Sequence, residues 1–293
     1  MRIAITGGTG TFGQCCTKIL LNEFAGLNEI RIISRGEFKQ WEMQQEIKDP
    51  RVKFCIGDTR DKDRMIQLFK GIDLVIHAAA LKHITFCEQQ PMEAVKTEIL
   101  GSQNVIDAAI INKVPFVMGI STDKACKPVN LYGATKMAME KLFISANGDT
   151  KFSCCRYGNV IGSRGSLIDL IRRTTGKIPL TSPEMTRFWI RIDDGVRWVL
   201  KMISEMKGGE IFIPKMPSMK VIDVIKTLAH DREIDLIGVR PGEKLHEMLI
   251  APEEHAKEYD DHYTIHPDNP CGIEFTSQNN KWWLTPEELK ERI

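Results

Sequence analysis

A glycine-rich turn near the N-terminus constrains the fold of this chain more than any other feature. The sequence TGGTGTFG, residues 6–13, follows the apolar run RIAIT and precedes a stretch typical of a helix. Glycines at positions 7, 10 and 13 allow the turn to close and the backbone to approach a pyrophosphate at the helix N-terminus. A lone glycine motif is weak evidence, and a turn without a ligand is the alternative. Its place between a strand and a helix nevertheless predicts a dinucleotide-binding unit.

Short apolar runs alternate with amphipathic stretches through the first half of the chain. The runs predicted as strands lie at residues 2–6, 30–34, 52–56, 73–78, 115–121 and 152–158. This order predicts an α/β fold, a Rossmann-like doubly wound parallel sheet with a smaller mixed α/β substrate-binding region on the C-terminal side. We expect the nucleotide-binding core to span residues 1–160. Residues 161–293 then form mainly the substrate-binding region and a tail, which leaves open a return of later segments to the core.

The charges of the chain are balanced, with 40 lysines and arginines against 39 aspartates and glutamates. This balance gives no overall attraction for nucleic acid or anionic lipid, so any cationic site must be local. No apolar stretch approaches the roughly 20 residues that span a bilayer, which favours a cytoplasmic protein without a membrane partner. The eight cysteines include no C-x-x-C pair and no zinc-like spacing, so we expect reduced thiols and no metal site.

The end of the second predicted strand selects between the two nicotinamide dinucleotides. An acidic residue about 20 positions after the glycines would bind the ribose hydroxyls of NAD. This chain has Ser34 and Arg35 at that place, with Lys39 one helical turn later. Those side chains suit a 2'-phosphate, which favours NADP as the cofactor. A solvated Arg35 and Lys39 on a surface turn are the alternative.

Further cofactor contacts are predicted at the carboxyl ends of the strands, where open α/β sheets bind their ligands. Asp58 ends the third strand and could meet an adenine amino group, and the small residues of HAAALKH end the fourth. The full set of predicted cofactor contacts is Gly7, Thr9, Gly10, Thr11, Phe12, Gly13, Ser34, Arg35, Lys39, Asp58, Thr59, Ala78, Ala79, Ala80, Tyr132, Lys136 and Val160.

The segment STDKACKPVNLYGATK, residues 121–136, carries the candidate catalytic groups. Tyr132 and Lys136 are four positions apart, which places both on one face of a helix. A neighbouring ammonium and a positive nicotinamide ring would favour the phenolate of Tyr132, which could then accept a proton from a substrate hydroxyl. A Y-x-x-x-K pair on an exposed helix face is a common accident, but here it follows a fifth strand of a nucleotide-binding pattern.

The glycine pattern, STDKA…YGATK and RYGNVIGSRGS together resemble the extended short-chain dehydrogenase/reductase superfamily. More closely, the chain resembles the inverting UDP-N-acetylglucosamine 4,6-dehydratases (5-epimerising) of bacterial surface-sugar pathways of the pseudaminic acid type. The likeness covers about residues 1–266, and SRGEFKQ, HAAALKH, MTRFWI, GGEIFIPKMPSMK and RPGEKLHE are its most specific stretches. The resemblance supplies the substrate, because the spacing of residues alone indicates only a nucleotide-dependent oxidoreductase.

The resemblance implies a role for each residue that precedes the tyrosine. Thr122 would hydrogen-bond the C4 oxygen of the sugar. Asp123 would be the acid for the C6 hydroxyl and must then be protonated through burial. Lys124 would be the base for the C5 proton and must then be neutral, which we expect from burial and nearby cations. A surface position for Lys124 is the alternative, and Lys127 is expected to be a surface lysine.

Two other functions remain open at this stage. One is a nucleotide-sugar 4-epimerase or a retaining 4,6-dehydratase on the same scaffold, although retaining dehydratases typically carry Glu where this chain has Lys124. The other is a non-catalytic NADP-binding sensor, against which the four residues Asp123, Lys124, Tyr132 and Lys136 argue.

The resemblance also implies how UDP-N-acetylglucosamine is held and how the chain assembles. The predicted substrate contacts are Lys82, Asn159, Arg164, Arg187, Arg240 and Glu243. Arg164 and Arg187 have a structural ion pair as their alternative. A homo-oligomer, either a dimer or a hexamer, is expected. The chain departs from the family pattern at Gly36, in the segment CEQQP and in several shortened loops, which leaves the oligomeric state and the exact substrate open.

Overall fold

The computed structural model describes residues 1–163 and 165–293, and its first half alternates strands with helices. The strands are β1 (Arg2–Thr6), β2 (Glu29–Ser34), β3 (Val52–Ile56), β4 (Leu74–His77), β5 (Phe116–Ile120) and β6 (Lys151–Cys155). The helices are α1 (Thr11–Glu23), α2 (Glu37–Glu46), α3 (Lys62–Leu68), α4 (Ile84–Gln89), α5 (Pro91–Ala94), α6 (Gly101–Ile111) and α7 (Leu131–Ser145). A π-helical segment, Val95–Leu100, joins α5 to α6, and a 3₁₀ turn, Asp123–Ala125, follows β5.

The second half contains shorter elements. Its strands are β7 (Asn159–Ile161), β8 (Ile178–Leu180), β9 (Thr186–Arg191), β10 (Ile211–Pro214), β11 (Ser218–Lys220), β12 (Ile234–Leu236), β13 (Met248–Ile250), β14 (Ala256–Glu258), β15 (His262–Ile265) and β16 (Phe275–Thr276). Its helices are α8 (Leu167–Arg173), α9 (Ile192–Glu205), α10 (Val221–Leu228) and α11 (Pro286–Glu291).

A nine-stranded sheet in the order β14-β15-β10-β6-β5-β4-β1-β2-β3 forms the centre of the fold. The strands from β3 to β10 in this order pair in parallel, whereas β15 pairs antiparallel with both β10 and β14. The strand order reverses between β1 and β4, which is the switch point where doubly wound sheets bind ligands. The predicted Rossmann-like fold is confirmed.

The core lies on both faces of this sheet because successive side chains of a strand point in opposite directions. Ile3 and Ile5 of β1 pack into one apolar cluster, while Ala4 packs into the other. The predicted sixth strand ends early, at Cys155, since the chain then turns towards the 3₁₀ turn and the Tyr157 carbonyl accepts the Asp123 N–H at 3.0 Å.

The region after residue 160 is tied to the sheet in two ways. Three of the nine strands, β10, β14 and β15, come from it. The fully buried Arg156 guanidinium, just after β6, also pairs with Glu140 of α7 at 2.7 Å and with Glu254 at 2.8 Å. The remaining strands form three small sheets, β11-β9-β7, β12-β8 and β13-β16. We therefore propose residues 1–160 and 161–293 as regions that share one sheet.

Within residues 1–163 and 165–293, no group of three or more histidine, cysteine or acidic side chains is arranged to hold a metal ion. Across the same residues, no helix is both long enough and apolar enough to cross a bilayer.

Candidate active site

A cleft of about 1080 Å³ opens at the carboxyl ends of β1 to β6. Its walls come from the glycine turn, the ends of the strands, the start of α7 and the segment after β6. The predicted cofactor residues that line it are Gly7, Thr9, Gly10, Thr11, Phe12, Ser34, Arg35, Lys39, Asp58, Thr59, Ala78, Ala79, Ala80, Tyr132, Lys136 and Val160. This volume is slightly above the roughly 300 to 1,000 Å³ usual for ligand pockets, which leaves room for two ligands side by side.

The glycine turn has the shape that a diphosphate requires. Gly7 has φ of +68°, and a Cβ there would lie 2.7 Å from the Ala78 carbonyl oxygen and the Ala79 nitrogen. Gly13 does not line the cleft, contrary to its prediction as a cofactor contact. It lies behind the turn against the backbone of Gly8, where a side chain would collide. The turn therefore brings the N-terminus of α1, the end of a helix at which anions bind, to the cleft.

The far end of the cleft carries exposed cations. Arg35 and Lys39 both line it and are exposed, and Arg35 is close enough to Asp58 to help lower the pKa of that carboxyl. Gln40 supports this end by donating to the backbone and hydroxyl oxygens of Ser34, both at 3.0 Å. Asp58 is held by Arg60 at 2.6 Å, and this pairing outweighs burial and lowers the pKa of the carboxyl. The preference for a 2'-phosphate at this end of the cleft stays a prediction.

Tyr132 and Lys136 lie in the first two turns of α7 and are 9% and 2% exposed. They are therefore not an accidental pair on an exposed helix face. The helix begins where Asn130 Oδ1 accepts the Gly133 N–H at 2.8 Å. The Gly133 backbone packs directly on the carbonyl of Lys124. This close packing sets Tyr132 beside the 3₁₀ turn.

The electrostatics of Tyr132 differ from the prediction. Burial and the carboxyl groups of Glu98 and Asp123 raise the pKa of Tyr132 above its ordinary value. The neighbouring ammonium was expected to lower it, which is wrong for the protein itself. Lys136 Nζ lies 3.2 Å from Glu98 Oε2 and donates to the Ile120 carbonyl oxygen at 2.9 Å. The positive charge of Lys136 is thus balanced by a carboxylate that the sequence gives no reason to expect.

Asp123 and Lys124 form a pair at the start of the 3₁₀ turn. Lys124 Nζ lies 2.8 Å from Asp123 Oδ1, and the Thr122 hydroxyl donates to the same oxygen at 3.0 Å. Asp123 is fully buried beneath the cleft, while Thr122 and Lys124 line it. Burial raises the pKa of Asp123, more than Lys124 and Thr122 lower it. A raised pKa is the direction that an acid at this position requires, and the proton on Asp123 stays a prediction.

Lys124 is a cleft residue, so the alternative of a surface lysine does not hold. The prediction of a lowered pKa is nevertheless wrong for the protein itself. Burial alone would lower the pKa of Lys124, but the carboxyl groups of Asp123 and Glu247 outweigh it and raise the pKa above its ordinary value. Glu247 Oε1 lies 3.4 Å from Lys124 Nζ. Lys127, in contrast, is exposed and pairs with Glu253 at 3.0 Å, as a surface lysine does.

Sequence reasoning did not identify Glu98 and Glu247 as parts of the site. Glu247 ends the stretch RPGEKLHE and is buried between Lys124 and the guanidinium of Arg187, 3.8 Å away. The only available signal was its position in that specific stretch. Glu98 lies in the π-helical segment, where helical periodicity cannot place a side chain reliably.

The predicted substrate contacts separate into two groups. Lys82 and Asn159 line the cleft, and Asn159 Oδ1 accepts from Lys124 Nζ at 3.4 Å. Arg187 is buried, donates to the carbonyl oxygens of Thr186, Lys244 and Leu245, and lies 3.8 Å from Glu247, which favours the structural ion pair given as its alternative. A contact between Arg187 and substrate stays a prediction.

Of the remaining predicted substrate contacts, two lie away from the cleft and one is not among the residues that the structure describes. Arg240 and Glu243 pair with each other at 2.5 Å outside the residues that line the cleft. Arg164 lies outside the described residues. For these three positions a contact with substrate stays a prediction.

Comparisons with known proteins agree on the family and the fold. The chain matches the family described as polysaccharide biosynthesis protein over residues 3–267. A relative from Campylobacter jejuni, named UDP-N-acetylglucosamine 4,6-dehydratase (inverting), is 45% identical over 99% of this chain and 96% of its own length. A relative from Rickettsia conorii, named UDP-glucose 4-epimerase, is 42% identical over 90% of this chain and 82% of its own length.

Among solved structures, Pen from Bacillus thuringiensis matches with a TM-score of 0.92 and 36% identity, over 99% of this chain and 96% of that chain. This chain and Pen therefore share a fold along nearly their whole length. The resemblance seen in the sequence is confirmed at the level of the family.

Proposed function

The chain belongs to the polysaccharide biosynthesis protein family, and we propose that it is an NADP-dependent UDP-N-acetylglucosamine 4,6-dehydratase that inverts C5. The product would be a UDP-4-keto-6-deoxy-L-hexose for surface-sugar synthesis of the pseudaminic acid type. The observation that carries the proposal is the Asp123–Lys124 pair beside Tyr132, with Lys124 Nζ 2.8 Å from Asp123 Oδ1. It supplies an acid and an amine in addition to the tyrosine. The 45% identical relative with this name supports the substrate.

The side chains of the cleft would divide the proton transfers among them. Tyr132 Oη takes the proton of the C4 hydroxyl while Thr122 orients the C4 oxygen. The C4 ketone acidifies C5, and Lys124 Nζ takes the C5 proton. Asp123 gives its proton to the C6 hydroxyl, which leaves as water. Solvent would then supply a proton to C5 on the opposite face. The protons taken up by Tyr132 and Lys124 would be released, one to restore Asp123 and one to solvent, so that protons balance.

NADP, when bound, supplies the reversible hydride chemistry that oxidation of C4 and reduction of C6 require. The residues that would hold it are the glycine turn and Ser34, Arg35 and Lys39. The oxidation and the reduction cancel, so no reduced cofactor should accumulate during turnover. Binding of the sugar nucleotide by Lys82 and Asn159, assembly into a homo-oligomer and a cytoplasmic location stay predictions.

Replacing Arg35 with alanine should weaken NADP binding and leave NAD binding nearly unchanged. A charge-assisted hydrogen bond to phosphate contributes about 1.5 to 3 kcal/mol, so the expected loss is about tenfold to a hundredfold in Kd. Titration of each dinucleotide into the protein measures this change in Kd. Lys48→Ala, which removes an exposed cation beyond α2, is the control. Equal weakening of NADP binding and NAD binding would show that Arg35 does not contact the 2'-phosphate.

The pH dependence of C5 exchange should reflect the raised pKa of Lys124. A base acts only when deprotonated, and the fraction of neutral Lys124 grows as the pH rises towards its pKa. The exchange rate should therefore rise from mildly acidic to mildly alkaline pH. Glu247→Gln removes a carboxylate that raises this pKa, so it should move the rise to lower pH. Rates of C5 exchange, followed by proton NMR in buffered heavy water at several pH values, test this. If Glu247→Gln showed the same pH dependence as the unaltered chain, the expectation would be wrong.

A UDP-sugar 4-epimerase is the second candidate, because a relative with an epimerase name is 42% identical. An epimerase removes and returns a hydride at C4 and has no step for an acid and an amine at C5 and C6. The Asp123–Lys124 pair in the cleft favours the dehydratase. A non-catalytic NADP-binding sensor would need neither of these residues.

The deciding experiment is proton NMR of the protein with UDP-N-acetylglucosamine in heavy water, without added cofactor. A new C6 methyl signal, deuterium at C5 and the coupling constants of an inverted ring are expected. A methyl signal with the original C5 configuration would identify a retaining dehydratase. A 4-epimer without a methyl group would identify an epimerase. An unchanged spectrum from protein that still carries NADP would contradict the proposed activity on this sugar.

A further inference from the structure

Arg240 and Glu243, the two predicted nucleotide contacts outside the cleft, belong to one tight turn. The Glu243 N–H donates to the Arg240 carbonyl oxygen at 3.1 Å, which closes the turn around Pro241 and Gly242. Gly242 has φ of +78°, and a Pro-Gly pair at the centre of a turn is typical of this conformation. Arg240 and Glu243 also pair across the turn at 2.5 Å. The 240–243 turn therefore presents both side chains as one unit.

The chain from this turn to the buried Glu247 runs along the segment that carries the candidate catalytic groups. Asn130 Nδ2 donates to the Gly242 carbonyl oxygen at 2.8 Å. Further along, Lys244 Nζ donates to the Cys126 carbonyl oxygen at 2.6 Å. The contact of Asn130 is the one made with the turn itself. This side chain therefore sets where the turn lies relative to α7.

Asn130 uses both ends of its amide. Its Oδ1 accepts the Gly133 N–H at 2.8 Å, which caps α7, while its Nδ2 makes the contact with Gly242. A helix cap needs only an oxygen, and aspartate or serine supplies one as well as asparagine does. Asparagine adds a donor on a separate atom that points in another direction. The donor thus serves a purpose that capping does not require.

The backbone of the turn lies close to Asn130 at the same point. A Cβ on Gly242 would lie 3.3 Å from Asn130 Cβ, which is tighter than ordinary contact. The short distance and the positive φ both require glycine at this position. The turn and the N-terminus of α7 therefore fit each other in shape as well as in hydrogen bonding.

We propose that Asn130 is a positioning residue that holds the 240–243 turn against the N-terminus of α7, so that a nucleotide bound at the turn has its sugar at Tyr132. The inference rests on the proposed function, because it takes Arg240 and Glu243 as contacts to the nucleotide. The acceptor end of Asn130 keeps the first turn of α7 in place, and the donor end keeps the 240–243 turn in place. Loss of the donor alone should weaken binding of the nucleotide and leave the groups of the cleft where they are.

The first test is titration of UDP into the full chain in the presence of NADP. Asn130→Asp keeps an oxygen for the cap but has no donor for the Gly242 carbonyl. Asn130→Ser is neutral and one bond shorter, so it can cap α7 without reaching the turn. Both should weaken UDP binding about twofold to tenfold, the usual net contribution of one hydrogen bond, and leave NADP binding unchanged.

Thr285→Ala is the control for a loss of stability without a loss of binding. Thr285 Oγ1 accepts the Glu288 N–H at 3.2 Å and caps α11 in the C-terminal tail. Its replacement should lower the temperature of thermal unfolding and leave UDP binding unchanged.

The second test approaches the same contact from the turn. Gly242 and Gly238 have similar φ values, +78° and +76°, so alanine is strained at either position. A Cβ on Gly242 would press on Asn130, whereas a Cβ on Gly238 would meet no atom of the described residues within 4 Å. Gly242→Ala should therefore weaken UDP binding as Asn130→Ser does, and Gly238→Ala should not. The double variant of Asn130→Ser and Gly242→Ala should lose little more than either single variant, because both act on one contact.

Turnover provides the third readout. With UDP-N-acetylglucosamine as substrate, Asn130→Ser and Gly242→Ala should raise KM by about the factor seen for UDP. The value of kcat should stay close to that of the unaltered chain, because Tyr132 and Lys136 keep their places on a capped helix. If position 130 tolerates no replacement without unfolding, Gly242→Ala against Gly238→Ala carries the comparison.

The outcomes separate the role of Asn130 from the proposed function. An unaltered chain that binds UDP but forms no product would contradict the proposed function, and the UDP titrations would still test Asn130. Unchanged UDP binding in Asn130→Ser and Gly242→Ala, or equal weakening of UDP and NADP binding, would overturn the role of Asn130. A loss confined to Asn130→Asp would also overturn it, since the added charge would then be the cause. Absence of UDP binding to the unaltered chain would overturn both ideas.

Discussion

Replacement of Lys124 with methionine is expected to abolish exchange of the C5 proton while NADP binding and C4 oxidation persist. Lys124 is the amine of the cleft that lies beside Asp123 and Asn159, and methionine keeps its length and apolar stem. Loss of a general base typically costs about 10²- to 10⁴-fold in rate. Deuterium incorporation at C5, measured by NMR, should fall by that factor. Cofactor absorbance should show one reduced equivalent per active site, because the ketone cannot proceed.

Lys127→Met is the matched control, since Lys127 lies in the same loop but is exposed and paired with Glu253. It should leave exchange, cofactor binding and product formation close to those of the unaltered chain. If Lys124→Met lost NADP binding as severely as C5 exchange, the role of Lys124 as the C5 base would be wrong.

Replacement of Asp123 with asparagine is expected to stop loss of the C6 hydroxyl while exchange at C5 continues. Asparagine has the shape of a protonated carboxyl group but cannot give its proton to a leaving hydroxyl. The methyl product should therefore decrease by about 10²- to 10⁴-fold. Time courses of the methyl signal and of C5 deuteration, recorded in one sample, measure both steps. Parallel loss of both would make Asp123 a partner of Lys124 and not the acid for C6.

The same substitution has a predicted effect on stability. Because burial raises the pKa of Asp123 above 3.8, its ionisation opposes folding. The unaltered chain should lose stability as pH rises from about 3.8 through the higher pKa of the folded protein. Asp123→Asn should lack this part of the pH dependence. Urea unfolding at several pH values tests it, and identical pH dependence of the two proteins would contradict a protonated Asp123.

The features that depend on contiguous residues were predictable. The glycine turn, the first five strands and the exposed cations after β2 each arise from one short stretch with its own chemistry. The positions of Tyr132 and Lys136 follow from helical spacing alone. The candidate residues Asp123 and Lys124 came from the resemblance, and the structure brings them beside Tyr132.

The charges that act on the site were not predictable, because they come from segments far apart in the chain. Glu247 reaches Lys124 from beyond residue 240, and Glu98 reaches Lys136 from a π-helical turn. Burial together with Glu98 raises the pKa of Tyr132, and Asp123 together with Glu247 raises that of Lys124, each opposite to the expected direction. Short strands such as β14, with three residues, were likewise missed, since so few residues show no periodicity.

The buried Arg156 has a consequence for how the protein can be divided. Its guanidinium joins α7, which carries Tyr132, to Glu254 in the C-terminal region, and it is shielded from water. A fragment that ended at residue 160 would lose Glu254 and three strands of the sheet. Such a fragment would expose one edge of that sheet to other chains. Residues 1–160 are thus unsuited to expression on their own or to exchange for the same segment of a relative. A chimeric protein would keep the site only if both halves came from the same parent chain.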